Sequence, residues 1–556
     1  MVDKMINIVC ENNGANMVVE WGARLGDVVD MLPKPERPYL AAYVNNSIKE
    51  LDYMIYKPVS VRFIDETDFE GARVYQRTLF FTIQKAVHDI FPDKKFRIPY
   101  SVSRGFYGEI EGLDHVTAED VERIKARVAD LIRQDIPIVR RKVSTDEARE
   151  MYRRLEYDDK VSLLDTRPRL YVTLYSLADI VGYFYGALAP STAFLKVYDL
   201  KPYYKGIFIA IPKRTAPEEL EPMIHQDKMF DIFKEYNEWG DVMGVQNIGL
   251  LNKRILAGEA SDLIKVAEAF HEKKLASIAN ALYDANIQRG ARLVLISGPS
   301  SSGKTTFAKR LGIQMRILGL NPVLISLDDY FLDRDKTPRD ESGDYDYETI
   351  DALDLAAFND HLERLFAGES VEIPRYDFIS GKRQWHETPL KLDDRSMLVV
   401  EGIHGLNPRL TEKVPDCYKF KIYVSAFTTV MMDDMNRIPT TDSRLLRRIV
   451  RDNWSRGSDA AATLKRWNSV RLGEDKYIFP YQENADVMFN SSLFYELPVL
   501  RNYVEPLLYE VPNTLPEYGE ARRLLKFLDN FLKVPSNEIP PTSILREFIG
   551  GSSFKY

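Results

Sequence analysis

The chain has 556 residues, a length that predicts three or four domains, and its 45% hydrophobic content is ample for packed cores. A net charge of −8 supplies no overall basic field, so neither an anionic membrane nor nucleic acid is favoured as a partner. Cys10 and Cys417 alone give no disulfide framework and no cysteine metal cluster, and the lack of an apolar leader in residues 1–13 or of any apolar run of membrane length predicts a cytoplasmic location.

Residues 1–65 read as a small unit of strands around one short helix. Ile6-Asn7-Ile8-Val9 and Ser60-Val61-Arg62-Phe63-Ile64 have strand patterns, Leu25 to Leu32 has a helical one, and Val44-Asn45-Asn46-Ser47 is a turn. This stretch resembles the TGS domain, a β-grasp module found at the start of threonyl-tRNA synthetases and in some GTPases.

Residues 66–230 form a second unit. Thr117-Ala118-Glu119-Asp120 opens a capped helix towards Gln134, and Ile136-Pro137-Ile138-Val139 reads as a strand. With Gly105-Phe106-Tyr107 and Val143-Ser144-Thr145-Asp146-Glu147-Ala148, the order resembles the second additional domain of threonyl-tRNA synthetase. In that family the domain edits with paired histidines, a cysteine and a further histidine. The early positions here are Arg77 and Phe81, and no cysteine lies between Cys10 and Cys417, so the editing chemistry and any zinc for it are expected to be absent.

Residues 231–290 are helical and polar, and the apolar spacing from Ala260 to Ala285 predicts a connector docked on the next domain. Within residues 291–492, a buried strand, Leu293-Val294-Leu295-Ile296-Ser297, leads into Gly298-Pro299-Ser300-Ser301-Ser302-Gly303-Lys304-Thr305, followed by Thr306 and a helix with Ala308, Leu311, Met315 and Leu318 on one face. This is a phosphate-binding loop in its expected setting. Its glycines allow the backbone to wrap an anion, Lys304 can reach the outer phosphates, and the Thr305 hydroxyl can hold Mg²⁺. The motif therefore predicts a nucleoside triphosphate and leaves the phosphoryl acceptor open.

Further strand-like runs at Val323-Leu324-Ile325-Ser326, Met397-Leu398-Val399-Val400 and Phe420-Lys421-Ile422-Tyr423-Val424, with helices between them, predict a mostly parallel sheet. Asp328 and Asp329 follow one strand and Glu401 ends another. At the carboxyl ends of parallel strands, Asp328 can take the proton of an attacking hydroxyl and Glu401 can hold Mg²⁺. Arg444, Arg447, Arg448, Arg451 and Arg456 crowd one helical segment, as a lid over triphosphate would require. Residues 493–556 are a helical extension, with Ala521 to Phe531 as its clearest helix and Pro540-Pro541 as its break.

The loop motif, Ser326-Leu327-Asp328-Asp329-Tyr330-Phe331, Ile373-Pro374-Arg375-Tyr376-Asp377-Phe378, Glu401-Gly402-Ile403 and the run from Arg447 to Gly457 stand in the order seen in uridine kinases. The chain thus resembles the phosphoribulokinase/uridine kinase family, in a multidomain bacterial form. The resemblance implies that Asp328 is the catalytic aspartate and that Glu401 lies near Mg²⁺. It implies that Asp346 binds ribose hydroxyls, that Tyr376 and Phe378 line the nucleoside pocket, and that Arg448 works on the sugar side. Arg451 and Arg456 fall to the nucleotide side. Three positions depart from the pyrimidine-specific pattern: Gly381 stands where a base-contacting histidine is expected, Ser458 replaces a lid arginine, and Arg466 or a neighbour replaces a base-reading glutamine.

The combined expectation is an α/β chain. Its P-loop kinase domain, with a mostly parallel sheet, is preceded by a β-grasp TGS-like domain and an α+β synthetase-like domain. The expected activity is transfer of the γ-phosphoryl of ATP to a nucleoside 5′-hydroxyl with Mg²⁺, by a homo-oligomer acting on a small molecule. Two alternatives stay open: a kinase of another hydroxyl compound such as a sugar phosphate, and an RNA-associated regulatory protein whose ATP site is a switch.

Overall fold

The computed structural model describes residues 5–167, 169–340, 343–377, 380–385 and 388–555. At the N-terminus a five-stranded sheet has the order Ala15–Glu20, Met5–Cys10, Val59–Ile64, Ala41–Val44, Ser47–Lys49, with one parallel pair in the middle. Strict alternation along Met5–Cys10 turns Ile6, Ile8 and Cys10 inward, against Leu25 and Val28 of the helix Leu25–Asp30. A helix laid across a mixed sheet is the β-grasp arrangement.

The next stretch packs the long helix Phe69–Ile90 on a four-stranded antiparallel sheet and a three-stranded one. The helix Ala118–Arg133 starts as expected, with Thr117 and Asp120 capping each other's backbone amides. The strand expected from Ile136 instead begins at Ile138 and runs on to Ser144. Pro137 has no N–H for a ladder, and the Ile136 N–H is taken by the Thr192 hydroxyl at 2.9 Å. Arg77 and Phe81 are both built into the packing of this unit. Arg77 donates to Ala187 O at 2.9 Å and pairs with Glu70 at 2.8 Å, while Phe81 is fully buried edge-on to Phe184.

Three helices, Asp227–Met243, Ile248–Leu256 and Ala260–Arg289, lead to the C-terminal sheet. That sheet is all parallel, in the order Asn321–Ser326, Ser396–Glu401, Leu293–Ser297, Lys419–Ser425, Val487–Asn490. Leu293–Ser297 and Ser396–Glu401 are buried at every position because both faces of the sheet are covered. Alternate residues feed two cores: Val294, Ile296, Val399 and Ile422 face one, and Leu293, Leu295, Leu398 and Val400 face the other. The first of these cores continues without a break into Leu163, Leu275 and Phe548, so distant parts of the chain share it.

The C-terminal helix spans Tyr518–Leu528, a turn earlier than the apolar pattern indicated, because Phe531 and Val534 pack into the core from a non-helical segment. A charge network ties this helix to the rest. Arg523 forms a bidentate pair with Asp442 at 2.7 and 2.9 Å and also bonds Glu520. Arg73, on the helix Phe69–Ile90, bonds Glu520 and Glu70, each at 3.1 Å. No helix among the described residues is long and apolar enough to cross a membrane.

Removing one partner of such a network strands the others. Arg523→Ala is expected to cost roughly 3–5 kcal/mol, read as a lower denaturant midpoint, and Arg73→Ala should cost less because Glu520 keeps its bonds to Arg523.

Candidate active site

The loop 298–303 leaves the central strand Leu293–Ser297 and enters the helix Lys304–Ile317. The chain leaves this strand for Asn321–Ser326 on one side of the sheet and later continues to Lys419–Ser425 on the other, so the loop stands at a topological switch point at the carboxyl end of the sheet. Gly298 is required by close approach: at φ +158°, a Cβ there would lie 1.9 Å from Val424 O. Gly303, at φ +84°, starts the helix without a side-chain cap.

The loop is held from behind by buried ion pairs. The Glu474 carboxylate accepts from the Ser300 N–H at 2.9 Å and forms a bidentate pair with Arg444 at 2.5 and 2.7 Å. Arg444 also donates to Ser300 O at 3.0 Å. One layer deeper, Arg447 pairs with Glu496 at 2.5 Å and donates to Ser491 O at 2.8 Å, and the Ser491 hydroxyl donates to Ser302 O. Both guanidiniums are essentially solvent-free. The five arginines expected to form a lid therefore divide. Arg444 and Arg447 sit in buried pairs that hold the loop, because the helices Ala460–Tyr477 and Glu496–Tyr509 pack over their side.

Arg448, Arg451 and Arg456 converge instead on Asp452, at 3.1, 3.0 and 3.6 Å. Arg448 also donates to the Ser300 hydroxyl at 2.9 Å. The like charge of Arg451, together with burial, pulls Arg456 down to about 10. Three cations sharing one carboxylate leave a surplus of positive charge at the mouth of the loop.

Opposite them lie the acids. Register pairs Glu401 with both Ile296 and Ser326, which sets its carboxylate between the loop and the neighbouring strand end. It accepts from the Thr305 hydroxyl at 3.1 Å and the Ser326 hydroxyl at 3.2 Å. Burial and the negative charge of Asp328 push the Glu401 carboxyl up to about 7, against the pull of Lys304. Lys304 donates to Pro299 O at 3.1 Å; burial lowers its pKa, while Glu401, Asp328, Glu547 and Glu474 act to raise it. Thr306, the last residue of the predicted phosphate-binding run, gives its N–H and hydroxyl to Glu547.

The two aspartates after the strand Asn321–Ser326 separate. Asp328 acts on Lys304, Glu401 and Arg456, whereas Asp329 accepts from the Tyr376 N–H at 3.2 Å and so holds the strand Pro374–Asp377. Tyr376 is buried against Phe331. Asp346 accepts from the N–H groups of Glu348 and Thr349 at 3.0 and 3.2 Å through a single oxygen. Phe378 lies outside the described residues. Gly381 is closed over by Arg334, whose Nε would lie 2.6 Å from a Cβ there.

Sequence reasoning missed Glu348, His404, Glu474 and Glu547. Glu348 Oε2 is buried without a hydrogen-bond partner, and burial pushes its carboxyl up to about 7, with Arg448 opposing and Glu474 adding to the rise. Burial holds His404 down to about 4, so it is neutral. Glu474 is 174 residues from the amide it binds, so no local spacing could have found it.

Among the described residues no cluster of three or more His, Cys, Asp or Glu is arranged to hold a metal alone. The Thr305 hydroxyl and Glu401, with Asp328 nearby, form a hard all-oxygen set, which suits Mg²⁺ shared with phosphate oxygens.

Residues 293–494 match the model of the Phosphoribulokinase / Uridine kinase family. The uridine kinase of Mycoplasma pneumoniae is 28% identical over 225 residues, covering 38% of this chain and 96% of its own. That of Halobacterium salinarum is 28% identical over 194 residues, covering 35% and 77%. The threonine–tRNA ligase of Rubrobacter xylanophilus is 29% identical over 199 residues, covering 35% of this chain but 31% of its own length, so the chain spans about a third of that relative. The sheet and the family match together make residues 293–494 a P-loop kinase module.

A carboxyl raised to about 7 from 4.5 favours folding while protonated and loses that contribution as pH rises through about 7. Glu348→Gln should therefore unfold at a higher temperature than the parent at pH 8, by on the order of 2 °C, with little difference at pH 5. Thermal unfolding at both pH values measures it.

Proposed function

We propose that this chain is an ATP- and Mg²⁺-dependent kinase that phosphorylates the 5′-hydroxyl of a nucleoside. The observation that carries this reading is the convergence of Lys304, Asp328 and Glu401 beside the phosphate loop, at the carboxyl end of a parallel sheet. Lys304 and the first amides of its helix would hold the donor phosphates. Thr305 and Glu401 would hold Mg²⁺, which when bound neutralises charge on the phosphates.

Asp328 accepts the proton of the acceptor hydroxyl as its oxygen bonds to the γ-phosphorus and the bond to ADP breaks. Arg448, Arg451 and Arg456 stabilise the charge spread over the transferred group. Asp346 uses one oxygen to order its own turn, which leaves the other to receive sugar hydroxyls. Tyr376, held by Asp329, forms an apolar wall for the base.

One observation favours a second reading. The Arg334 side chain covers Gly381, which puts a cation where the resemblance leads one to expect a base-reading histidine. An acceptor carrying negative charge, such as a sugar phosphate, would suit it.

The deciding experiment is ADP release from ATP·Mg²⁺ across ribo- and deoxyribonucleosides and sugar phosphates. Stimulation by a nucleoside supports the main reading, stimulation by sugar phosphates alone supports the second, and release unaffected by every acceptor overturns both. In the responsive assay, Asp328→Asn should lower kcat by about 10²–10⁴-fold while ATP still binds; turnover at the parent's rate would remove Asp328 from the role of base.

A further inference from the structure

The C-terminal segment returns to the phosphate loop. Glu547, on the short helix Arg546–Ile549, accepts through Oε2 from the Thr306 N–H at 3.2 Å and the Thr306 hydroxyl at 2.5 Å. Ile544 closes on the loop from the same side, so that a Cβ on Gly303 would lie 2.5 Å from its Cγ2. Phe548 O accepts from Trp454 Nε1 at 2.5 Å, and its ring lies 5.0 Å from the Arg447 guanidinium. Arg546 folds the segment on itself by donating to Ser536 O and Ile539 O, each at 2.8 Å. Further on, Lys309 donates to Lys555 O.

The Thr306 amide belongs to the first turn of the helix Lys304–Ile317, where N–H groups have no intrahelical acceptor and the helix dipole favours an anion. In a phosphate loop such amides receive phosphate oxygens. Glu547 Oε2 stands in for one of them. Its charge also acts on Lys304, Glu401 and Lys309, the groups that a triphosphate would engage or border.

We propose that Glu547 is an intrachain competitor for the donor phosphate, and that nucleotide binding requires its carboxylate to give way. The proposal rests on reading the loop as a triphosphate site. The segment's anchors, Ile544, Leu545 and Phe548, are buried, while Glu547 itself is only half-buried. Release therefore needs a side-chain rotation and a small shift of one helical turn, not unfolding of the tail. The apparent affinity for ATP is reduced by the fraction of molecules in which Glu547 occupies the site, and anything that draws the segment away would raise it.

Titration calorimetry of the full chain with ATP and with tripolyphosphate tests this. Glu547→Gln removes the charge but keeps the shape, and should tighten both ligands by roughly tenfold (about 1.4 kcal/mol). Glu547→Ala should act in the same direction. Glu538→Gln is the control: Glu538 lies in the same segment but bonds Ser261, away from the loop, and should bind like the parent. If the parent binds ATP and the Glu547 variants bind it equally or more weakly, the competitor role is overturned. If neither parent nor variants bind ATP or tripolyphosphate, the triphosphate reading itself falls.

Discussion

The buried pair between Arg444 and Glu474 sets the shape of the site. One carboxylate neutralises a guanidinium and takes the Ser300 N–H, and the same guanidinium takes Ser300 O. A phosphate loop carries several polar backbone groups that cannot all point at a ligand, and those that point inward need partners in a dry interior. The pair supplies them, and Arg447 with Glu496 and Ser491 repeats the arrangement one layer deeper. Buried ion pairs of this kind add little net stability compared with apolar packing, because desolvation offsets their attraction. Their effect here is positional: they hold the Ser300 N–H and carbonyl in place behind the loop.

Around that frame the charges separate into two banks. Asp328, Glu401, Glu474 and Glu547 surround Lys304, while Arg448, Arg451 and Arg456 share Asp452. Neither bank is balanced by itself. The acid side holds Glu401 near neutrality in its protonation, and the arginine side lowers Arg456. Such mutual perturbation is concentrated where a strand end meets the loop. The N-terminal and C-terminal parts join this site through packing and charge: Arg73 and Arg523 reach Asp442 on the arginine helix, and Phe548 lies under Arg447. The arginine helix is thus loaded from outside the kinase module.

Much of the architecture could be read along the chain. The strands Leu293–Ser297 and Ser396–Glu401 are buried at every position, and apolar throughout their middles, because the sheet is covered on both faces, and Thr117 with Asp120 marks a helix start within four residues. What could not be read was the fate of residues whose partners lie far off. Arg444, Arg447, Arg448 and Arg451 share one broad helix face, yet the first two pair with Glu474 and Glu496 from later helices while the last two share Asp452 on their own helix. Only the packing of two later helices distinguishes them. Gly381 likewise reads as a vacancy in sequence, whereas in space Arg334 has filled it.

The sequence by itself determined the elements whose cause is local: the glycine loop between strand and helix, the acids at strand ends, the alternation that turns Ile6, Ile8 and Cys10 inward. Backbone conformation and periodicity act over a few residues, so they leave their mark there. The tertiary structure alone decided which charges meet. Glu547 lies 241 residues from the Thr306 amide it occupies, and Glu474 lies 174 from the Ser300 amide it holds. Electrostatic and hydrogen-bond partners are chosen by distance in space, over a few ångströms, and a chain of this length brings together groups whose separation in sequence carries no signal.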